Sequence, residues 1–136
     1  MRSCLAIGAL LALAACTQVY YKDFAVEPQD RAYTGRAQYE DIKRYLMSRK
    51  LRTVIETPDL LVVEMEPEDT LQVRLLPTQK VEMTLVRSTT GANFTEAQVR
   101  RFREGFEKSL REETGHIVSV RLVDERTRPI TNLRFQ

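Results

Sequence analysis

Two rhythms of apolar and polar positions run along this chain. Over residues 37–49, Tyr39, Ile42 and Leu46, with Tyr45 beside them, recur at spacings of three and four. Glu40, Asp41, Lys43, Arg44 and Arg49 take the opposite side. That period predicts an amphipathic helix, and its early acids and late bases suit the helix dipole. Four short runs then carry strand character, over 51–56, 60–65, 71–76 and 81–87. In the last of them Val81, Met83 and Leu85 alternate with Glu82, Thr84 and Val86, as in a half-buried strand. Turn signals containing Pro58, Pro67 and Pro77 separate the runs. Connections this short permit an antiparallel meander and exclude parallel crossovers.

The second helical segment is marked at both ends. Thr95 and Gln98 have the spacing of a capping box, and Phe94 and Val99 that of a hydrophobic staple. Val99, Phe102, Phe106 and Leu110 form one apolar stripe, and Gly115 supplies a left-handed stop. Residues 117–123 alternate again, with Val118, Val120 and Leu122 against Ser119 and Arg121. Residues 126–136 read as a tail or as a last edge strand. The expected fold class is α+β: an antiparallel sheet of four to five strands with two helices packed on one face, in the order α-β-β-β-β-α-β.

The N-terminus follows a different logic. Met1-Arg2-Ser3 is short and basic, residues 4–13 are apolar or small, and Leu13-Ala14-Ala15-Cys16 ends the run. This is the order of a secretory signal. The apolar stretch stops at Thr17 and Gln18, short of the roughly 20 residues a spanning helix needs. Ala12-Leu13-Ala14 also fits an A-x-A cleavage site for ordinary secretion. The Leu three positions before Cys16, however, resembles the lipobox of bacterial lipoproteins. That resemblance covers Met1 to Cys16. It implies cleavage before Cys16, lipidation of its thiol by diacylglycerol and acylation of the new amino group. Two or more acyl chains anchor a protein stably where one does not. Thr17 after the Cys, in place of Asp, implies the periplasmic face of an outer membrane.

Three segments follow from this reading: 1–15 as signal peptide, 16–34 as lipidated N-terminus and tether, and 35–136 as one small domain. Residues 17–34 show no sustained period and contain Pro28. Tyr20, Tyr21 and Phe24 there are candidate partner contacts, by interfacial seating or groove docking; the other reading is that they pack on their own domain. About 120 residues would remain after cleavage, enough for one self-standing core.

Charge and cysteine content narrow the function classes. The net charge of +2 falls by one with the loss of Arg2, which gives no global drive toward nucleic acid. Of the two cysteines, Cys4 leaves with the signal and Cys16 is the lipidation residue. No intramolecular disulfide remains for the mature chain. Candidate chemistry is sparse. His116 is the only histidine and is expected at the surface of the helix-to-strand corner. Glu64, Glu66, Glu68 and Asp69 lack calcium-loop spacing and read as a solvated turn. Arg100–Glu104 and Lys108–Glu112 are spaced as four-apart ion pairs. Residues 93–95 match a glycosylation sequon, already accounted for by the cap, and residues 89–92 are too short to cradle a phosphate. No catalytic, cofactor-binding or metal residue is assigned, and no cofactor is expected.

The expected function is a lipid-anchored, non-enzymatic periplasmic binding or assembly module, an accessory subunit of a cell-envelope complex. Its partners would be the membrane, through the lipid on Cys16, and an envelope protein. The alternative is an inhibitor or immunity lipoprotein against an envelope hydrolase, presenting Glu64–Asp69 as its key. An envelope enzyme ranks below both.

Overall fold

The computed structural model describes residues 17–130; the lipobox and the final six residues lie outside them. Six strands form one antiparallel sheet: β1 (Gln18–Pro28), β2 (Thr53–Thr57), β3 (Leu60–Glu66), β4 (Asp69–Leu75), β5 (Val81–Thr89) and β6 (Val118–Pro129). Their spatial order is β2-β3-β4-β5-β1-β6. Two helices, α1 (Gly35–Ser48) and α2 (Glu96–Thr114), complete the elements of the described residues.

The expected meander is β2 to β5. The expected tether is not a tether: residues 18–28 form β1, an inner strand between β5 and β6. Tyr20, Lys22, Phe24 and Val26 point toward the helices and are all buried. The polar Lys22 interrupts what would otherwise be an apolar alternation; its ammonium reaches the Glu125 carboxylate at the edge strand. The sheet therefore has six strands rather than four or five, and the described residues begin with a strand rather than a helix. β6 likewise runs on through Pro129 as an edge strand. A bulge at Val123 shifts its register, so that Leu122 opposes Phe24 and Asp124 opposes Asp23.

Both helices cover the same sheet face. Phe24, Val26, Leu61, Val63, Leu71, Val73, Val81, Met83, Val118 and Val120 form its floor. Tyr39, Ile42 and Leu46 descend from α1, and Val99, Phe106 and Leu110 from α2. Phe102 rests on Phe24 with ring centroids 5.2 Å apart, and Tyr45 meets Phe106 edge-on at 5.6 Å, geometries aromatic pairs prefer. The uncovered face is laced by polar pairs. Asp23 accepts from the Thr84 hydroxyl at 2.7 Å and from Arg126 at 3.1 Å, while Arg74 lies 3.6 Å from Glu82.

The caps of α2 match the expectation. Thr95 Oγ1 accepts from Gln98 N–H, Gln98 Oε1 accepts from Thr95 N–H, and Gly115 takes the left-handed conformation at φ 76°. α1 departs from it. The helix starts two residues early, at Gly35, so Glu40 and Asp41 lie beyond its first turn. No acid occupies that turn, no base the last, and the N-cap Thr34 makes no side-chain cap hydrogen bond. The positive end of the α1 dipole is uncompensated by its own helix.

Candidate functional site

The N-terminus of α1 opens on a cavity of about 730 Å³, open on one side. It arises because two strands part. β1 pairs with β5 as far as Val26–Val81, but with β6 as far as Pro28–Val118. Beyond Val26 the gap between β1 and the β4–β5 hairpin widens, and α1 roofs it. Val26, Pro28, Tyr33 and Val81 supply apolar wall; Arg31, Lys80, Arg121, Glu27 and Gln38 supply the polar groups.

The roof is fixed by a close approach of backbones. Residues 77–79 form a three-residue hairpin loop, with Gln79 N–H donating to Leu76 O and Leu76 N–H to Lys80 O, each at 2.8 Å. Gln79 takes the left-handed conformation, φ 67°, where such loops favour glycine. Its carbonyl lies so near Gly35 that a Cβ there would stand 1.7 Å from Gln79 O. Glycine at 35 is thus a packing requirement. The neighbouring Arg36 ties the same turn of α1 to the β2–β3 turn, donating to Pro58 O at 2.8 Å and to Asp59 Oδ1 at 2.6 Å.

The electrostatics of the cavity are lopsided. Glu27 is its only carboxylate and is held by Arg121 Nε at 3.1 Å. That hydrogen bond, then the charge of Arg121, outweigh a small desolvation and hold the Glu27 carboxyl below its ordinary range; Lys80 adds to the effect. Arg31 and Lys80 have no ion-pair partner among the described residues. Gln38 is 2% exposed, and its Nε2 amide, a double donor, has no acceptor. Most buried polar groups in folded proteins are bonded; this one belongs to a residue that lines a cavity rich in donors and poor in acceptors.

One wall continues into a feature the sequence reading did not anticipate. The Tyr33 ring stacks on His116, centroids 3.8 Å apart and planes 11° from parallel, and its hydroxyl donates to Asp41 Oδ2. Burial first, and the Asp41 hydrogen bond second, raise the Tyr33 pKa well above its ordinary value. His116 does sit at the α2–β6 corner, as expected, but half-buried against this ring rather than free at the surface.

The residues singled out from sequence fall elsewhere. Cys16 lies outside the described residues. Phe24 is fully buried and Tyr20 nearly so; both belong to the domain's own sheet, and a partner could reach Phe24 only by opening the core. Tyr21 lies on the uncovered face with the Arg126 guanidinium 4.5 Å above its ring. The acidic run is dispersed. Asp69 is buried and grips Arg87 in a bidentate pair at 2.7 and 2.8 Å, and Glu64 pairs with Arg52. Glu66 and Glu68 remain exposed at the turn. The expected Arg100–Glu104 and Lys108–Glu112 pairs do not close; Glu107 accepts instead from the Val120 N–H at 2.7 Å.

Among the described residues no group of three or more His, Cys, Asp or Glu side chains could hold a metal ion, and no helix is long and apolar enough to cross a membrane. No protein-family model matches the chain, and comparison with curated proteins gives no match.

Proposed function

We propose that this protein is a lipid-anchored, non-enzymatic binding module of the bacterial envelope, fixed by acyl chains on Cys16 to the periplasmic face of the outer membrane. The observation that carries the reading is the course of β1. It begins at Gln18, two residues after the lipobox cysteine, and it ends at Pro28 in the wall of the cavity. Thr17 is already tied to the sheet, its carbonyl accepting from Ile130 N–H at 2.8 Å. One inner strand thus links the anchor position to the binding cavity. An extended strand of this length spans about 35 Å, so a lipid on Cys16 would seat one pole of the sheet at the headgroups and hold the cavity at the opposite pole, facing the periplasm.

The cavity favours binding over catalysis. Its one carboxylate is engaged by Arg121, and its remaining polar groups are donors and fixed cations rather than a nucleophile set against a base. Its volume falls within the roughly 300–1,000 Å³ typical of ligand sites. The inhibitor reading is favoured less: of its Glu64–Asp69 key, Asp69 is buried against Arg87 and Glu64 pairs with Arg52 at the surface, which leaves Glu66 and Glu68 exposed at the turn. Accessory membership of an envelope complex rests on the anchor and on two edge strands, β2 and β6, open to strand addition.

The test is intact mass spectrometry of full-length protein extracted from its native envelope in detergent, with a Cys16→Ser control. The expected mass begins at Cys16 and carries acyl chains, and membrane attachment is lost in the control. An extracted chain with an unmodified Cys16 thiol overturns the anchor.

A further inference from the structure

We propose that the cavity at the N-terminus of α1 binds a small ligand carrying an oxyanion, a carboxylate or phosphate, on an apolar body. Three features of different origin converge on one point. The first turn of α1 presents backbone N–H groups that neither a Thr34 side-chain cap nor an acidic residue engages. Such helix ends bind anions through those donors and the dipole together. Gln38, on the same turn and almost wholly buried, holds an amide with two donors and no acceptor. Lys80 and Arg31 stand at the cavity wall without ion partners among the described residues, while Arg121 cancels the one carboxylate.

Each feature alone has an ordinary explanation. An uncapped helix start is satisfied by water, and exposed cations are solvated. The amide is different. An orphaned buried donor disfavours the empty state, and a ligand oxygen that accepts from it removes the penalty. Placed there, that oxygen also meets the helix end, with Lys80 and Arg31 to balance its charge. The rest of the ligand is set by the walls: Val26, Pro28, Val81 and the Tyr33 ring favour an apolar body over a second charge. The inference rests on the reading of this domain as a binding module and is independent of its anchor.

The experiment is an amide NMR titration of the full-length protein in detergent, ionic strength held with chloride, using inorganic phosphate and hexanoate as separate probes. The expected result is saturable shifts at residues 34–38 and at the Gln38 side-chain amide. The Lys80→Ala and Arg31→Ala variants, both at exposed positions, should each weaken binding by about ten-fold, the loss of one charge-assisted contact. Saturation by hexanoate alone assigns a carboxylate ligand, and by phosphate alone a phosphorylated one; either supports the site. Absence of shifts with both probes, or shifts unchanged in the double Arg31→Ala/Lys80→Ala variant, overturns it. Because the lipid is read separately by mass, an acylated protein that binds neither probe refutes this site and leaves the anchor standing.

Discussion

Gly35 and Gly105 make opposite predictions from the same substitution. Both are helical glycines, and replacing glycine by alanine in a helix ordinarily stabilises by about 1 kcal/mol. At Gly105, exposed on α2, a new Cβ has no neighbour within 4 Å, so Gly105→Ala should realise that gain. At Gly35 the new Cβ would meet Gln79 O at 1.7 Å, Gln79 C at 2.4 Å and Gln79 Cα at 3.0 Å. These are backbone atoms of a closed hairpin loop and cannot swing aside as a side-chain tip does. Relief requires α1 and the hairpin to separate by well over an ångström, dragging Gly35's neighbours Gln38 and Tyr39 from the core. Overpacking of this kind costs about 1–3 kcal/mol. A clash against backbone lies at the upper end of that range, about 2–3 kcal/mol, so the net for Gly35→Ala after the propensity gain is a loss of about 1–2 kcal/mol, or on the order of 4–8 °C in Tm for a domain of this size. The assay is chemical denaturation of the two variants beside the parent, with thermal melts as a second readout. A Gly35→Ala protein as stable as Gly105→Ala would refute the close approach of α1 to the hairpin, and with it the roof of the cavity.

Other predictions test single groups. Tyr39 is fully buried with its hydroxyl unpartnered, so Tyr39→Phe should be neutral or stabilising by up to about 1 kcal/mol in urea unfolding; a loss would reveal a hidden bond. Asp69→Ala takes the paired carboxylate from the Arg87 guanidinium, leaving it the Phe94 ring at 4.2 Å and the Ala92 carbonyl at 3.4 Å, and should cost about 3 kcal/mol. A double Asp69→Val/Arg87→Met variant should recover much of that loss. The raised Tyr33 pKa favours the folded state fully below the ordinary phenol value of 10.0, and that contribution falls as pH rises beyond it, because the unfolded chain releases the proton first. Tyr33→Phe should therefore flatten the alkaline decline in stability and remove one late-ionising phenol from the phenolate absorbance titration.

How much of the fold was legible depended on the range of the interactions that made it. The meander and α2 are written locally: hairpin strands lie beside each other through short turns, and a cap, a staple spacing and a stop glycine bracket one apolar stripe. β1 is not written locally. Its partners are β5, more than fifty residues away, and β6, about a hundred away. Its inward alternation is broken by Lys22, buried only because Glu125 arrives across the edge. Reading Tyr20, Tyr21 and Phe24 beside a lipidation residue made a tether plausible and left the sheet one strand short. The cavity was legible in no segment. Gln38, Lys80, Arg31 and Gly35 are individually unremarkable, and only the splay of β1 from β5 beneath α1 brings them together. The one available hint was Gly35 just after Thr34 at a helix start, a position where alanine would serve better unless something lay close.

Placing β1 inside the sheet, between β5 and the edge strand β6, changes what a lipid on Cys16 would do. A tethered domain would wander, its orientation set by the linker, and several residues of slack would let any face approach the membrane. A domain whose first inner strand starts two residues after the proposed anchor, Cys16, would have almost no slack. The Thr17–Ile130 hydrogen bond places that strand's start against the end of β6, and the neighbouring Thr89 and Pro129 share the same pole. Acyl chains on Cys16 would then select one orientation, and a partner would approach the flanks or the far pole. Insertion of six or more Gly/Ser residues after Thr17 separates the two ideas. It leaves the lipobox and the cavity intact, so acylation and anion binding should persist. Any function that depends on presenting the cavity at a fixed height above the membrane should fall. If the insertion leaves envelope function unchanged while Lys80→Ala abolishes it, the cavity matters and its height does not. A module held rigidly at one height predicts loss in both.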